Sequence, residues 1–131
     1  MGSTTAARST AVDLAARQYL DHLAIERGLA SNSLASYRRD LNRYLEFLNE
    51  VGVEDFAQIT EGHVLSFLGR LREGDADHPP LATSSAARTV VAVRGFHRFS
   101  VLEGLAEHDP AAHVRPPAPP RRLPKALSVA Q

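Results

Sequence analysis

The sequence predicts an all-α fold, a small bundle of four main helices plus a short C-terminal helix. Three observations carry that expectation: apolar residues at helical spacing, capping residues and glycines that bound them, and one stretch apolar nearly all round. That stretch is TSSAARTVVAVRGFHRFSVLEGL, residues 83–105. Ala86, Val90, Val93, Phe96, His97 and Val101 share one side of its helical wheel, and Val91, Phe99 and Leu102 fall on the other. A helix with two apolar sides is buried on more than one face, so the remaining helices are expected to pack on this one. Thr83, Ser84 and Ser85 are its candidate N-caps and Gly104 its stop. Arg88, Arg94 and Arg98 hold its remaining polar positions.

The other elements follow in chain order. Residues 1–11 lack periodicity and read as a disordered tail. From Val12, VDLAARQYLDHLAIERG carries a stripe of Leu14, Ala16, Tyr19, Leu20 and Leu23, with Asp13 near the positive end and Gly28 as terminator. Ser31 or Ser33 caps a second helix, NSLASYRRDLNRYLEFLNEVG, ended by Gly52. Leu34, Tyr37, Leu41, Tyr44, Leu45 and Leu48 make its narrow apolar stripe, the cleanest helical signal in the chain. Ser36, Arg39, Arg43 and Glu46 lie opposite, and Arg38 flanks the stripe. The arginine pair at i,i+4 suits either a solvated face or a surface that meets phosphates and bases, since like charges at that spacing mildly destabilise a helix.

One helical turn is expected around Asp55–Ile59. Thr60 then caps a third helix, EGHVLSFLGRLREG, with Val64, Leu65, Leu68 and Leu71 inward. The acidic, proline-containing loop GDADHPPLA separates it from the central helix. His63 and His78 stand alone and receive no chemistry. DPAAHV reads as a short C-terminal turn of helix with Asp109 as cap, and RPPAPPRRLP as a linker whose prolines favour extended backbone. The closing KALSVAQ reads as the opening of a further element.

Composition narrows the function. At 131 residues the chain holds one domain with tails. With no cysteine it has neither disulfides nor thiolate chemistry, and it lacks both a signal-peptide pattern and an apolar run long enough to cross a bilayer. A soluble, cytoplasmic protein is expected. Net charge is zero but unevenly spread: residues 11–110 hold ten arginines against fifteen acids, while residues 111–131 are basic. A nucleic-acid binder with this balance must gather its positive charge on one face. Fourteen of the fifteen basic residues are arginine, which fits bidentate contacts to phosphate and guanine as well as a GC-rich genome. No glycine-rich phosphate loop, HExxH or GxSxG is present. His108, Asp109 and His113 lack further ligands at suitable spacing, so neither metal nor cofactor is expected. The reading is a binding module.

YLDHLAIERGLASNSLASYRRDLNRYLEFL resembles the opening of the Xer-type tyrosine recombinases, the XerD-like members in particular. SSAARTVVAVRGFHRF resembles the family's fourth helix, and DPAAHVRPPAPPRRLPKALS its short helix, linker and LPKxLS entry to the catalytic domain. The similarity runs in the family's order from residue 13 to the end of the chain. It implies a SAM-like, orthogonal core-binding domain over 12–114, an interdomain linker over 115–124, and the start of the catalytic domain over 125–131. It further implies a two-domain clamp around double-stranded DNA, with the second and fourth helices facing the major groove. The tyrosine nucleophile and its arginine, lysine and histidine partners would lie in the other domain, which acts without metal or ATP. Tyr19, Tyr37 and Tyr44 match the N-terminal pattern and are not that nucleophile.

Position by position, the resemblance puts Ser31, Ser33, Tyr37, Arg38 and Arg39 at the start of the DNA-facing second helix. Ser84, Ser85, Arg88 and Arg94 fall on the fourth, with Arg43 and Arg98 as further contacts and Arg121, Arg122 and Lys125 along the linker. Implied partners are a dif-like site, a XerC-like sister recombinase and an FtsK-type translocase. Two alternatives stay open: a helical protein–protein interaction domain with an acidic partner, and the core-binding domain of a phage or mobile-element integrase. A helix-turn-helix is disfavoured, because the connections at 51–60 and 73–82 exceed its tight turn.

Overall fold

Thr10 opens the first helix by a reciprocal cap: its hydroxyl accepts from Asp13 N–H (3.1 Å), and the Asp13 carboxylate accepts from Thr10 N–H (3.2 Å). The helix therefore starts at Ala11, within the stretch expected to be a tail. A computed structural model describes residues 10–117 of the chain. They form α1 (Ala11–Ile25), α2 (Ser31–Glu50), a 3₁₀ turn (Phe56–Gln58), α3 (Glu61–Glu73) and α4 (Thr83–Leu102). The expected tail over 1–9 and the linker positions Arg121, Arg122 and Lys125 lie outside the described residues.

The expected four-helix, all-α architecture is the one observed, with the turn at Asp55–Ile59 in place. Gly28, Gly52, Gly74 and Gly104, which follow the four helices, all have positive φ. This backbone region closes a helix at no steric cost only for glycine. Helix α4 packs against α1, α2 and α3, as expected of a central helix, but through one broad face: of its second apolar side, Val91 and Leu102 are exposed and Phe99 is only partly buried. Its buried residues are Ala86, Thr89, Val90, Ala92, Val93, Phe96, His97 and Ser100. Of these, Ala86, Val90, Val93 and Phe96 join Leu20 and Leu23 of α1, Leu41, Tyr44 and Leu48 of α2, and Val64, Phe67 and Leu71 of α3 in one core.

Several side chains depart from the expected stripes. Leu14, Leu65, Val91 and Leu102 are exposed, the last at 71 %. In α3 the core takes Phe67 instead of Leu65, because Phe67 and Leu71 flank Val64 on one side of the wheel whereas Leu65 turns about 100° away. The short C-terminal helix is not formed. Asp109–Val114 makes two successive turns, with Ala112 N–H donating to Asp109 O (3.3 Å) and Val114 N–H to Ala111 O (3.1 Å). Asp109 Oδ1 accepts from Ala111 N–H (2.9 Å), an Asx turn that competes with a helical ladder. Pro110, Ala111 and Val114 are nevertheless buried and close one end of the core.

At Gly95 the Tyr19 side chain of α1 lies directly on α4, since a Cβ added there would collide with the Tyr19 hydroxyl. Burial, reinforced by Tyr37, pushes the pKa of that phenol up to about 12, while Arg27 acts in the opposite sense. Gly95→Val is expected to cost about 1–3 kcal/mol through overpacking. Tyr19→Phe in the same chain should recover part of the loss, since it deletes the obstructing oxygen; urea denaturation of both variants measures this.

Candidate nucleic-acid interface

The site begins with an acid in an unfavourable place. Asp40 lies on the inward side of α2, beside Leu41 and Tyr44, and is buried. A buried carboxylate needs a cation and full hydrogen bonding. Arg88 of α4 supplies both: its Nε donates to Oδ2 and its Nη2 to Oδ1, each at 3.0 Å. The Asp40 side chain is 7 % exposed and the Arg88 side chain 46 %, so the pair is anchored inside and open outside. Hydrogen bonding to Asp40 holds the Arg88 pKa above its ordinary value, against the opposing effect of burial.

A second tie joins the same helices deeper in the bundle. The Tyr44 hydroxyl and His97 Nε2 share a hydrogen bond of 2.7 Å in the core. Burial drives the Tyr44 phenol upward in pKa, with Asp109 adding to it, and drives His97 down to about 4, with His108 adding to it. Both groups are neutral at pH 7. The two ties run in the same order along both helices, which places the N-terminal ends of α2 and α4 on the same side of their crossing.

Those ends differ from the other two. Neither α2 nor α4 has a side-chain cap; the N-cap residues are Ala30 and Ala82. The expected caps Ser31, Ser33, Thr83, Ser84 and Ser85 sit one to three residues inside the first turns, where their backbone is already helical. By contrast, α1 and α3 close with reciprocal caps, Thr10 with Asp13 and Thr60 with His63. His63 thus has a structural task that its isolation in the sequence hid. First-turn N–H groups without a capping acceptor, surrounded by hydroxyls, favour an anion.

The arginines fall into separate groups. Arg39, Arg43 and Arg88 line one crevice between α2 and α4, together with Asp40, Asn42, Glu46, His78, Leu81 and Thr89. Arg39 Nη2 donates to Ser36 Oγ (3.3 Å), and Arg43 Nη2 is enclosed without a hydrogen-bond partner. Arg94 and Arg98 lie farther along α4 in a groove against Asp109, Ala111 and Ala112. Arg94 also lines a hollow with His113 and Arg115. Arg38 is exposed but does not line the crevice, and Tyr37 is half-buried against the core. Ser31, Ser33 and Ser84 are exposed, Ser85 partly so. Sequence reasoning missed Asp40, whose only local signal is an acid on the flank of an apolar stripe.

Fold and surface define a class, a small all-α domain with an arginine-lined crevice between two of its helices. Residues 16–104 match the family described as phage integrase, N-terminal SAM-like domain, and the chain belongs to that family. The chain is 58 % identical over 113 residues to tyrosine recombinase XerD of Mycobacterium tuberculosis, covering 85 % of this chain and 36 % of that protein. It is 53 % identical over 128 residues to XerD of Mycobacterium leprae, covering 96 % and 39 %. Tyrosine recombinase XerC of Roseiflexus sp. is 36 % identical over 110 residues, covering 84 % and 34 %. The chain thus spans little more than a third of the length of these curated relatives. No solved structure matches it. Among the described residues no helix is long and apolar enough to cross a membrane.

Proposed function

We propose that this chain is the DNA-holding, core-binding part of a site-specific tyrosine recombinase of the XerD type. The observation that carries the reading is the α2–α4 crevice: three arginines line it, on two helices whose N-termini lack side-chain caps, in a bundle whose net charge is otherwise acidic. Helix N-termini, hydroxyls and arginines suit a duplex backbone, and side chains between them suit base edges. The similarity to XerD proteins supports the finer reading: a cytoplasmic protein acting in chromosome dimer resolution at a dif-type site, with a XerC-like sister recombinase and an FtsK-type translocase. Strand cleavage and rejoining through a 3′-phosphotyrosine would belong to the catalytic domain of such an enzyme, with this part gripping the duplex. Its acidic balance, with positive charge gathered in one crevice, suits a domain whose affinity is raised by a linked second module.

Titration of this 131-residue chain with a dif-like duplex and a shuffled duplex, at two salt concentrations, tests the reading. Amide shifts are expected at residues 31–43 and 84–98, larger for the dif-like duplex. Arg39→Ala should weaken binding about three- to tenfold and lower the salt slope by about 0.9, the signature of one lost phosphate contact. No shift at low salt with either duplex would refute DNA binding by this domain. An unchanged slope in Arg39→Ala would remove that residue from the contact face.

A further inference from the structure

The Asp40–Arg88 pair has a geometry that phosphate binding does not explain. Asp40 takes the Nε–Nη2 side of the guanidinium, with both bonds at 3.0 Å. The guanidinium has five N–H donors in a rigid plane, so the Nη1–Nη2 end of the fork keeps three N–H groups that Asp40 does not use. The Asp40 side chain is sunk in the bundle while the Arg88 side chain is nearly half exposed, so the end of the fork turned away from Asp40 is the end that faces outward. The same carboxylate cancels the arginine's charge at contact distance. A neutral pair attracts a phosphate weakly, because backbone affinity comes from net cationic charge that displaces counterions. It loses nothing toward a neutral acceptor pair of matching width, and guanine offers one in the major groove at O6 and N7.

From this geometry we infer that Asp40 is a specificity-determining positioning residue, fixing Arg88 so that its open Nη1–Nη2 edge reads one guanine and not a phosphate. The inference rests on the DNA-binding reading above and deepens it. Arg39 and Arg43, which flank the pair in the same crevice, supply the backbone attraction that the neutral pair lacks. The division of labour is physical: unpaired arginines give affinity, the paired one gives selectivity.

Selection of a randomised duplex pool by the 131-residue chain, followed by sequencing, tests this. The wild-type pool is expected to show a guanine at which 7-deazaguanine, which lacks the N7 acceptor, weakens binding about tenfold or more. In the double variant Asp40→Asn/Arg88→Ala that sensitivity should vanish while the salt slope stays unchanged, because a neutral pair has been removed. In Asp40→Asn alone, Arg88 keeps its charge but loses its fixed orientation. The guanine preference should then fall and the salt slope steepen by about one phosphate's worth. Thermal melting of each variant establishes that it is folded, and the 7-deazaguanine comparison on the wild type needs no variant at all. A wild-type pool without a 7-deaza-sensitive guanine, or sensitivity that persists in the double variant, overturns the inference. A double variant whose salt slope drops by one also overturns it, since Arg88 would then be a phosphate contact. Absence of any duplex binding at low salt overturns the DNA reading itself, whereas binding without guanine selectivity overturns only this inference.

Discussion

Phe96→Ala is expected to cost about 3–5 kcal/mol of folding stability, the range for emptying a well-packed aromatic site. Phe96 is fully buried near the middle of α4, with ring centroids of His97, Phe56 and Tyr19 at 5.2, 5.8 and 6.1 Å. Those rings come from α1, from the 3₁₀ turn and from α4 itself, so the cavity would open where three segments meet, and none can close it without leaving its other contacts. Stability of a domain this size is typically about 5–15 kcal/mol, so the variant should be a large step toward the unfolded state. Val91→Ala on the same helix makes the contrast. Val91 is exposed, and its truncation should stay within about 0.5 kcal/mol. Urea denaturation followed by circular dichroism measures both; a Phe96→Ala loss below about 1 kcal/mol would mean that α4 is not the centre of the core.

Acidification should remove about 3 kcal/mol through His97 alone. Its pKa in the fold is pushed down to about 4, from an ordinary 6.5, chiefly by burial and secondarily by His108. Between those values the unfolded chain takes up a proton that the folded chain refuses. The contribution is therefore fully present above pH 6.5 and is lost as pH falls toward 4, at about 1.4 kcal/mol per pH unit of the interval. The expected observation is a urea midpoint that falls steadily from pH 6.5 to 4. His97→Gln keeps a side chain that can hydrogen-bond the Tyr44 hydroxyl and does not titrate, so it should flatten that part of the profile. An equally steep profile in His97→Gln would transfer the effect to the carboxylates.

How much of this was legible beforehand depends on the separation of the interacting residues. Helices and their C-terminal ends were legible, because glycine and a 3.6-residue period act locally. The burial of His97 was legible too, since it shares a wheel sector with Ala86, Val93 and Phe96. Its partner Tyr44 lies 53 residues away, and Arg88 lies 48 residues from Asp40; no local pattern encodes either pairing. The arginines could be counted from the sequence but not sorted. Only the crossing of α2 and α4 shows that Arg88 is committed to a carboxylate while Arg43 has an enclosed amino group with no acceptor. The serines were misplaced by a residue or more for a different reason. Runs such as SNS and TSS offer several equivalent caps, and the backbone begins each helix at Ser31 and at Thr83, the first residue of each run.

The two ties between α2 and α4 also have a mechanical consequence. A charged clasp near the mouth and a neutral one in the core, set along the same crossing, resist both shear and hinge opening, so the two helices behave as one stiff jaw. A load on that pair of helices would pass into the connections at 26–30, 51–60 and 74–82, which lie outside the four α-helices. In such a body the crossing holds its shape and the joints yield.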